Sequence, residues 1–152
     1  MSSRFDTTNE ILGIEKIVKY LPHRYPFLLI DRVVEFIASE KIVTQKNISF
    51  SDPVLQGHYP GFPIYPGAYI MEAMAQSSAL LAAMSWDTIS SNEFLLLKVD
   101  DLKYRRLVRP GDVMFFEVTL QGKRHKPPFL FFAKVYVNDL LTAEGNLLCT
   151  VR

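Results

Sequence analysis

The chain holds a single cysteine, Cys149. No intrachain disulfide can staple the fold, and the thiol's apolar, strand-like surroundings favour a reducing compartment and an inert buried side chain. An excess of charge is missing too. With 17 basic against 16 acidic residues the formal net charge is +1, so no global field draws in nucleic acid or an anionic membrane, and any basic patch is local. Uninterrupted apolar runs are absent: residues 68–85 come nearest, but Tyr69, Glu72, Gln76, Ser77, Ser78 and Ser85 break them, whereas a membrane-spanning helix needs about 20 mainly apolar residues. The opening "MSSRFDTTNE" lacks the apolar stretch of a secretory leader, so residues 1–10 read as a flexible polar lead and the protein as cytoplasmic. His23, His58, His125 and Cys149 show none of the short paired spacings of a metal site, so no metal is expected. Nor is there a phosphate loop: Gly122-Lys123 lacks the upstream glycine, and no G-x-G-x-x-G occurs.

What is present suits one compact domain over residues 11–152. The chain is 49% hydrophobic over 152 residues, enough for a substantial core. In "IEKIVKYL", Ile14, Ile17, Val18 and Leu21 recur at helical spacing, with Glu15 and Lys19 placed for an ion pair, which predicts a short amphipathic helix. "FLLIDRVVEFI" and "KIVTQKNISF", separated by "ASE", predict an antiparallel hairpin. Four more strand-like runs follow residue 93, with a tight turn at Asn138 and Asp139. Between the two β regions, residues 68–85 contain no proline or glycine and are apolar nearly all round, as a helix enclosed by protein would be. Helix and strands segregate, so the class is α+β: an antiparallel sheet of five or six strands wrapped around one long helix.

The connection over residues 51–67 is the unusual element. It holds Pro53, Pro60, Pro63 and Pro66 with Gly57, Gly61 and Gly67. Connections of this length inside a compact domain are uncommon, and one so stiffened by proline should be ordered. Gly57 and Pro60 fix the backbone around His58, whose imidazole can accept a proton near neutral pH; a loop histidine is otherwise a solvent-facing or capping residue. Glu72 sits among Ile70, Met71, Ala73, Met74 and Ala75. Either it reaches solvent or an arginine, or it is desolvated, which disfavours the charged form and leaves a proton to donate. Pro66 suits the first position of the following helix, and the early amides there have no intrahelical acceptor. Gly67 N–H can therefore polarise a carbonyl oxygen, or Gly67 simply permits close packing. A base, an acid and an oxyanion donor together suit proton abstraction beside a carbonyl with loss of a β-substituent.

Four stretches, "LPHRYPFLLIDRV", "QGHYPGFPIYPG", "IMEAMAQ" and "KVDDLKYRRLVRPGD", resemble the β-hydroxyacyl-acyl carrier protein dehydratases of bacterial type II fatty acid synthesis, the FabZ-type hot-dog-fold enzymes, over residues from about 14 to 151. The resemblance implies a central helix wrapped by an antiparallel sheet, in homodimers whose sheets join and which often assemble as trimers of dimers. His58 would take the C2 proton of a (3R)-hydroxyacyl thioester. Glu72 of the other protomer would protonate the departing hydroxyl, Gly67 N–H would hold the thioester carbonyl, and Gln76 would orient the carboxyl or a water. It implies a trans-2-enoyl product and no cofactor. Glutamate at 72, where the related isomerising dehydratase has aspartate, argues against that relative. Tyr59, Phe62, Tyr65 and Tyr69 are bulky candidates to line the acyl tunnel, and positions 59 and 65 are more often phenylalanine and methionine in such relatives. Arg105 and Arg106, with Lys103 and Arg109, and Lys123, Arg124 and Lys126, with His125, form two local basic clusters. They are either solvated faces or docking points for an acidic acyl carrier protein and its phosphopantetheine phosphate. In "PHRYPF", His23 and Arg24 are expected to hold the loop to the sheet. Two other functions compete: an acyl-thioester hydrolase on the same fold, and a non-catalytic acyl-carrier-binding module.

Overall fold

Residues 3–87, 89, 93–122 and 125–152 are described by the computed structural model. Apolar residues at helical spacing form α1 (Ile14–Tyr20), and the β-branched hairpin forms β1 (Arg32–Ile37) and β2 (Lys41–Asn47). A short 3-10 turn (Pro53–Gln56) lies in the proline-rich connection, which leads into α2 (Gly67–Ser85). The chain then runs through β3 (Phe94–Tyr104), β4 (Val113–Gln121), β5 (Phe129–Val137) and β6 (Leu140–Val151). All pairings are antiparallel, in one sheet of order β1-β2-β4-β5-β6-β3. The α+β class, the six strands and the long helix match the expectation.

The sheet curves around α2, which packs on β2, β3 and β4. Twelve residues of α2, from Ile70 to Ala83, are buried, so the segment is apolar because protein surrounds it. Its serine hydroxyls are satisfied without water. Ser77 Oγ, Ser78 Oγ and Ser85 Oγ donate to the carbonyls of Ala73, Met74 and Leu81 at 2.6–2.9 Å. Because Ser77 spends its one proton on Ala73, Thr44 Oγ1, 2.7 Å away on β2, donates to Ser77. Asn138 and Asp139 take φ of +50° and +61°, the geometry of the tight turns that match strand twist and favour these residue types.

β3 departs from regular pairing with β6 at two points, between Leu96 and Lys98 and between Asp100 and Lys103. At each, β3 carries one extra residue. At the second, Asp101 adopts φ +52°, and Leu102 approaches Gly145 so closely that a β-carbon there would lie 3.3 Å from the Leu102 Cα. The other side of β3 is the free edge of the sheet.

Some local expectations differ. In α1 only Ile17 is buried, and Leu21 just beyond it; Ile14 stays exposed because the helix has one short face against α2. Glu15 and Lys19 form no ion pair among the described residues. Arg24 does not tie its loop to the sheet: its guanidinium donates to the carbonyls of Val18, Leu21 and His23, closing the C-terminal end of α1. Pro66 precedes the first helical residue as the N-cap, with extended ψ of 135°. In the polar lead, Phe5 is buried, stacked on Phe115 at 5.0 Å, while Arg4 N–H donates to Asp139 and its guanidinium lies 4.4 Å from the Tyr136 ring centre. Cys149 is buried, and burial pushes its thiol up to about 12, consistent with inert packing.

Candidate active site

The proline-rich connection is ordered by a ladder of local bonds. Asp52 accepts from Ser49 N–H, Leu55 is buried as an anchor, and His58 N–H donates to Val54 O at 3.0 Å. Phe62 N–H bonds Tyr59 O, and Tyr65 N–H reaches across to Val108 O. These bonds fix the imidazole of His58 from behind. Its Nδ1 lies 2.8 Å from Ile64 O. A carbonyl can only accept, so Nδ1 carries the proton, and in the neutral ring Nε2 keeps its lone pair. The Tyr59 ring packs on the imidazole in a tilted, edge-to-face pair with centroids 4.5 Å apart. Tyr59 itself has φ +53°, a left-handed conformation costing a non-glycine residue about 1 kcal/mol or more.

Glu72 projects from the second turn of α2. Its side chain keeps 23% of its surface accessible, so one protomer does not supply the full burial expected of it; the front of α2 faces a mouth, not the sheet. Gln76 Nε2 donates to Glu72 Oε1 at 3.0 Å and to Phe27 O at 2.8 Å, and its Oε1 accepts from Leu29 N–H at 2.9 Å. Gln76 thus ties the carboxyl to the 27–29 segment and is fully engaged. A cavity of about 120 Å³ opens here, lined by His23, Glu72, Gln76, Ala79, Phe94 and Leu96 among others.

His23 is the residue that sequence reasoning missed. Its Nε2 lies 3.5 Å from Glu72 Oε1, and its Nδ1 is buried without a hydrogen-bond partner among the described residues. Burial holds the imidazole below its ordinary value of 6.5, against the opposing pull of Glu72, so the ring is neutral at pH 7. The only signal available was a histidine flanked by prolines; its proximity to Glu72 arises from packing of α1 and the following loop on α2.

Among the expected tunnel residues, Tyr65 and Tyr69 stack edge to face at 5.9 Å, and Tyr69 meets Phe27 in the same way at 5.8 Å. Tyr65 is buried, which pushes its phenol well up. Tyr59 and Phe62 are exposed, and Phe62 lies 4.8 Å beneath the Arg109 guanidinium. None of the four lines the cavity at Glu72. Within one chain no hydrogen bond or ion pair links His58 to Glu72 among the described residues.

At the head of α2, Tyr69 and Ile70 N–H both donate to Pro66 O at 3.0 and 3.1 Å, leaving Gly67 N–H as the leading amide of the helix, at the positive end of its dipole. Of the basic residues, Arg105 pairs with Glu144. Arg106 forms no ion pair among the described residues and borders a surface depression with Leu107, Asp112 and Leu140. Lys126 is exposed; Lys123 and Arg124 lie outside the described residues. No group of three or more potential metal ligands occurs among the described residues, and no helix among them is long and apolar enough to cross a membrane.

Residues 21–146 match the family model of the FabA-like domain. The chain is 41% identical over 140 residues to the 3-hydroxyacyl-[acyl-carrier-protein] dehydratase FabZ of Syntrophobacter fumaroxidans, covering 92% of this chain and 94% of that protein. It is 42% identical to the protein of the same name from Geobacter metallireducens, covering 92% and 93%. Among solved structures, the dehydratase heterocomplex ApeI:P from Xenorhabdus doucetiae superposes with a TM-score of 0.77 at 20% identity, over 90% of each chain. Cj0977 from Campylobacter jejuni does so at 0.68 and 13%, over 97% and 95%; at those identities the likeness shows the hot-dog fold alone. With the family model spanning most of its length and relatives near 40% identity along nearly all of it, the chain belongs to the FabA-like family, among its FabZ-type 3-hydroxyacyl-[acyl-carrier-protein] dehydratases.

Proposed function

We propose that the protein removes water from (3R)-hydroxyacyl thioesters borne on acyl carrier protein, giving trans-2-enoyl thioesters, with His58 and Glu72 as the acid–base pair. His58 Nε2 takes the C2 proton, the C2–H electron pair forms the C2=C3 bond, and the C3–O bond breaks. Glu72 gives its proton to the leaving oxygen, which departs as water. The reaction moves no net electrons, and no cofactor enters it. Gly67 N–H holds the thioester oxygen as negative charge develops there.

One observation carries the assignment of the base: the bond from His58 Nδ1 to Ile64 O, which leaves Nε2 as the proton acceptor. Because no hydrogen bond or ion pair links His58 to Glu72 within one chain among the described residues, the working site is read as pairing His58 of one protomer with Glu72 of a second. The free edge of β3, with exposed Leu95 and Leu97, supports a dimer in which two sheets join edge to edge, since a long unpaired edge is a template for pairing. The second protomer would also cover Glu72 and bring Tyr59 and Phe62 to the acyl chain. Three such dimers would complete the assembly in the cytoplasm. Arg106 and Lys126, more available than the paired Arg105, are the docking residues for the carrier's acidic surface.

Incubation with a 3-hydroxyacyl thioester tests the assignment. Enoyl absorbance should rise in the wild type and fall by about 10²- to 10⁴-fold in His58→Ala. Release of free thiol without enoyl absorbance would make the protein a thioester hydrolase instead, and turnover of every acyl thioester that stays at background in the wild type, His58→Ala and Glu72→Gln alike would leave only a binding module. Mixed dimers of those two variants should regain one working site; inactivity in demonstrated heterodimers would refute the shared site.

A further inference from the structure

Tyr104 lies in the stretch "KVDDLKYRRLVRPGD" but was given no role from the sequence, and it packs directly on the head of α2. It is the last residue of β3, and its hydroxyl donates to Gly67 O at 2.6 Å. Its ring lies flat against Gly67: a β-carbon built there would sit 2.8 Å from Tyr104 Cζ and 3.1 Å from both Cε atoms. A side chain at 67 would therefore push the tyrosine ring aside, independently of any substrate. Burial pushes the phenol up, so the hydroxyl keeps its proton and remains a donor, although 47% of the residue's surface is accessible.

The first two peptide planes of α2 are thereby fixed from their carbonyl sides. Pro66 O accepts from Tyr69 and Ile70 N–H, and Gly67 O accepts from Tyr104. Holding both carbonyls fixes the rotation of the planes, and with it the direction of the Gly67 and Ala68 N–H groups that leave the helix end. A glycine at the first helical position would otherwise be the loosest point of the backbone. Stabilisation of developing negative charge depends on donors already aimed at it.

We propose that Tyr104 is a positioning residue for the acyl carbonyl: its hydroxyl holds the Gly67–Ala68 peptide plane and its ring bears on Gly67, so that the residue between the two held planes keeps its N–H, the leading amide of α2, aimed at the thioester oxygen. The clamp rests on the dehydratase reading, in which Gly67 N–H holds that oxygen. Tyr104→Phe keeps the ring and removes only the donor. It should lower kcat about five- to tenfold, the loss of one hydrogen bond, with KM and Tm close to wild type.

A readout independent of turnover is the infrared carbonyl stretch of a bound saturated acyl thioester, which lacks the 3-hydroxyl and cannot be dehydrated. The stretch should be lowered by the wild type and move back toward its free value in Tyr104→Phe. In a second series, Gly67→Ala should lose Tm through its clash with the ring. Adding Tyr104→Ala should restore Tm to that of Tyr104→Ala alone while kcat stays low. Wild-type kcat and an unmoved carbonyl band in Tyr104→Phe, or wild-type kcat in the double variant, would reduce Tyr104 to packing. Lack of hydroxyacyl turnover by the wild type would instead defeat the dehydratase reading, and the band on the saturated thioester would still judge the clamp.

Discussion

The two halves of α2 handle polar groups in opposite ways. From Ser77 onward every hydroxyl is consumed: Ser77, Ser78 and Ser85 bond back to carbonyls one turn earlier, and Thr44 and Ser39 N–H complete Ser77 and Ser85. Nothing is left over for a ligand. Around the front half other polar groups keep unspent capacity: the Nε2 lone pair of His58, the Nδ1 of His23 without a partner among the described residues, and the leading amide at Gly67. Saturated polar groups hold the rear of the helix in its sheet, whereas unsaturated ones mark where chemistry happens, because a buried group without a partner is costly unless something else uses it.

The contrast can be broken at its front end first. Glu72→Gln keeps the shape and the bond to Gln76 but removes the transferable proton; kcat should fall by about 10²- to 10⁴-fold with Tm unchanged, in the enoyl absorbance assay. At the rear, Leu80→Ala should cost about 3 kcal/mol in denaturant unfolding, since Leu80 is fully buried, with kcat and KM of the remaining folded enzyme unaltered. Gln76 sits at the junction and should show both effects. Gln76→Ala strips partners from Phe27 O, Leu29 N–H and Glu72, so a loss of about 2 kcal/mol should accompany a drop in kcat; a change in only one readout would sharpen the boundary between the halves.

The smallest effect concerns His23. Its folded value is depressed below the unfolded 6.5, so below pH 6.5 the unfolded chain binds more protons than the folded one, and the stability contributed by the neutral ring is lost as pH falls toward the folded value. Thermal unfolding at pH 7.5 and pH 5 should therefore show a smaller acid-induced drop in His23→Gln than in the wild type. An equal drop would show that protonation of His23 does not matter to the fold.

The long helix as a whole was the legible part. Residues 68–85 lack breakers and are apolar all round, and burial of that kind has a compositional signature; the hairpin at 32–47 and the Asn138-Asp139 turn likewise follow from local chemistry. His58 and Gly67 were visible because prolines and glycines crowd around them. His23 and Tyr104 were not, since each reaches its partner only through tertiary packing, 49 residues from Glu72 and 37 from Gly67 along the chain. Phe5 and Ile14 were misjudged for the converse reason: whether a lone apolar residue finds a surface depends on what docks beside it.

The two extra residues in β3 have a consequence for how this strand can vary in length. The partly covered positions run Phe94, Leu96, Val99, Leu102, so each irregularity shifts the alternation by one residue along the sequence. Each extra residue is absorbed opposite a single partner on β6, so the pairing beyond it keeps its face. Deleting Asp101 would straighten the strand and leave Tyr104 opposite Ala143, still on the helix side, whereas a length change that slides the pairing itself by one residue would turn the tyrosine outward and free the glycine without altering any residue of the site.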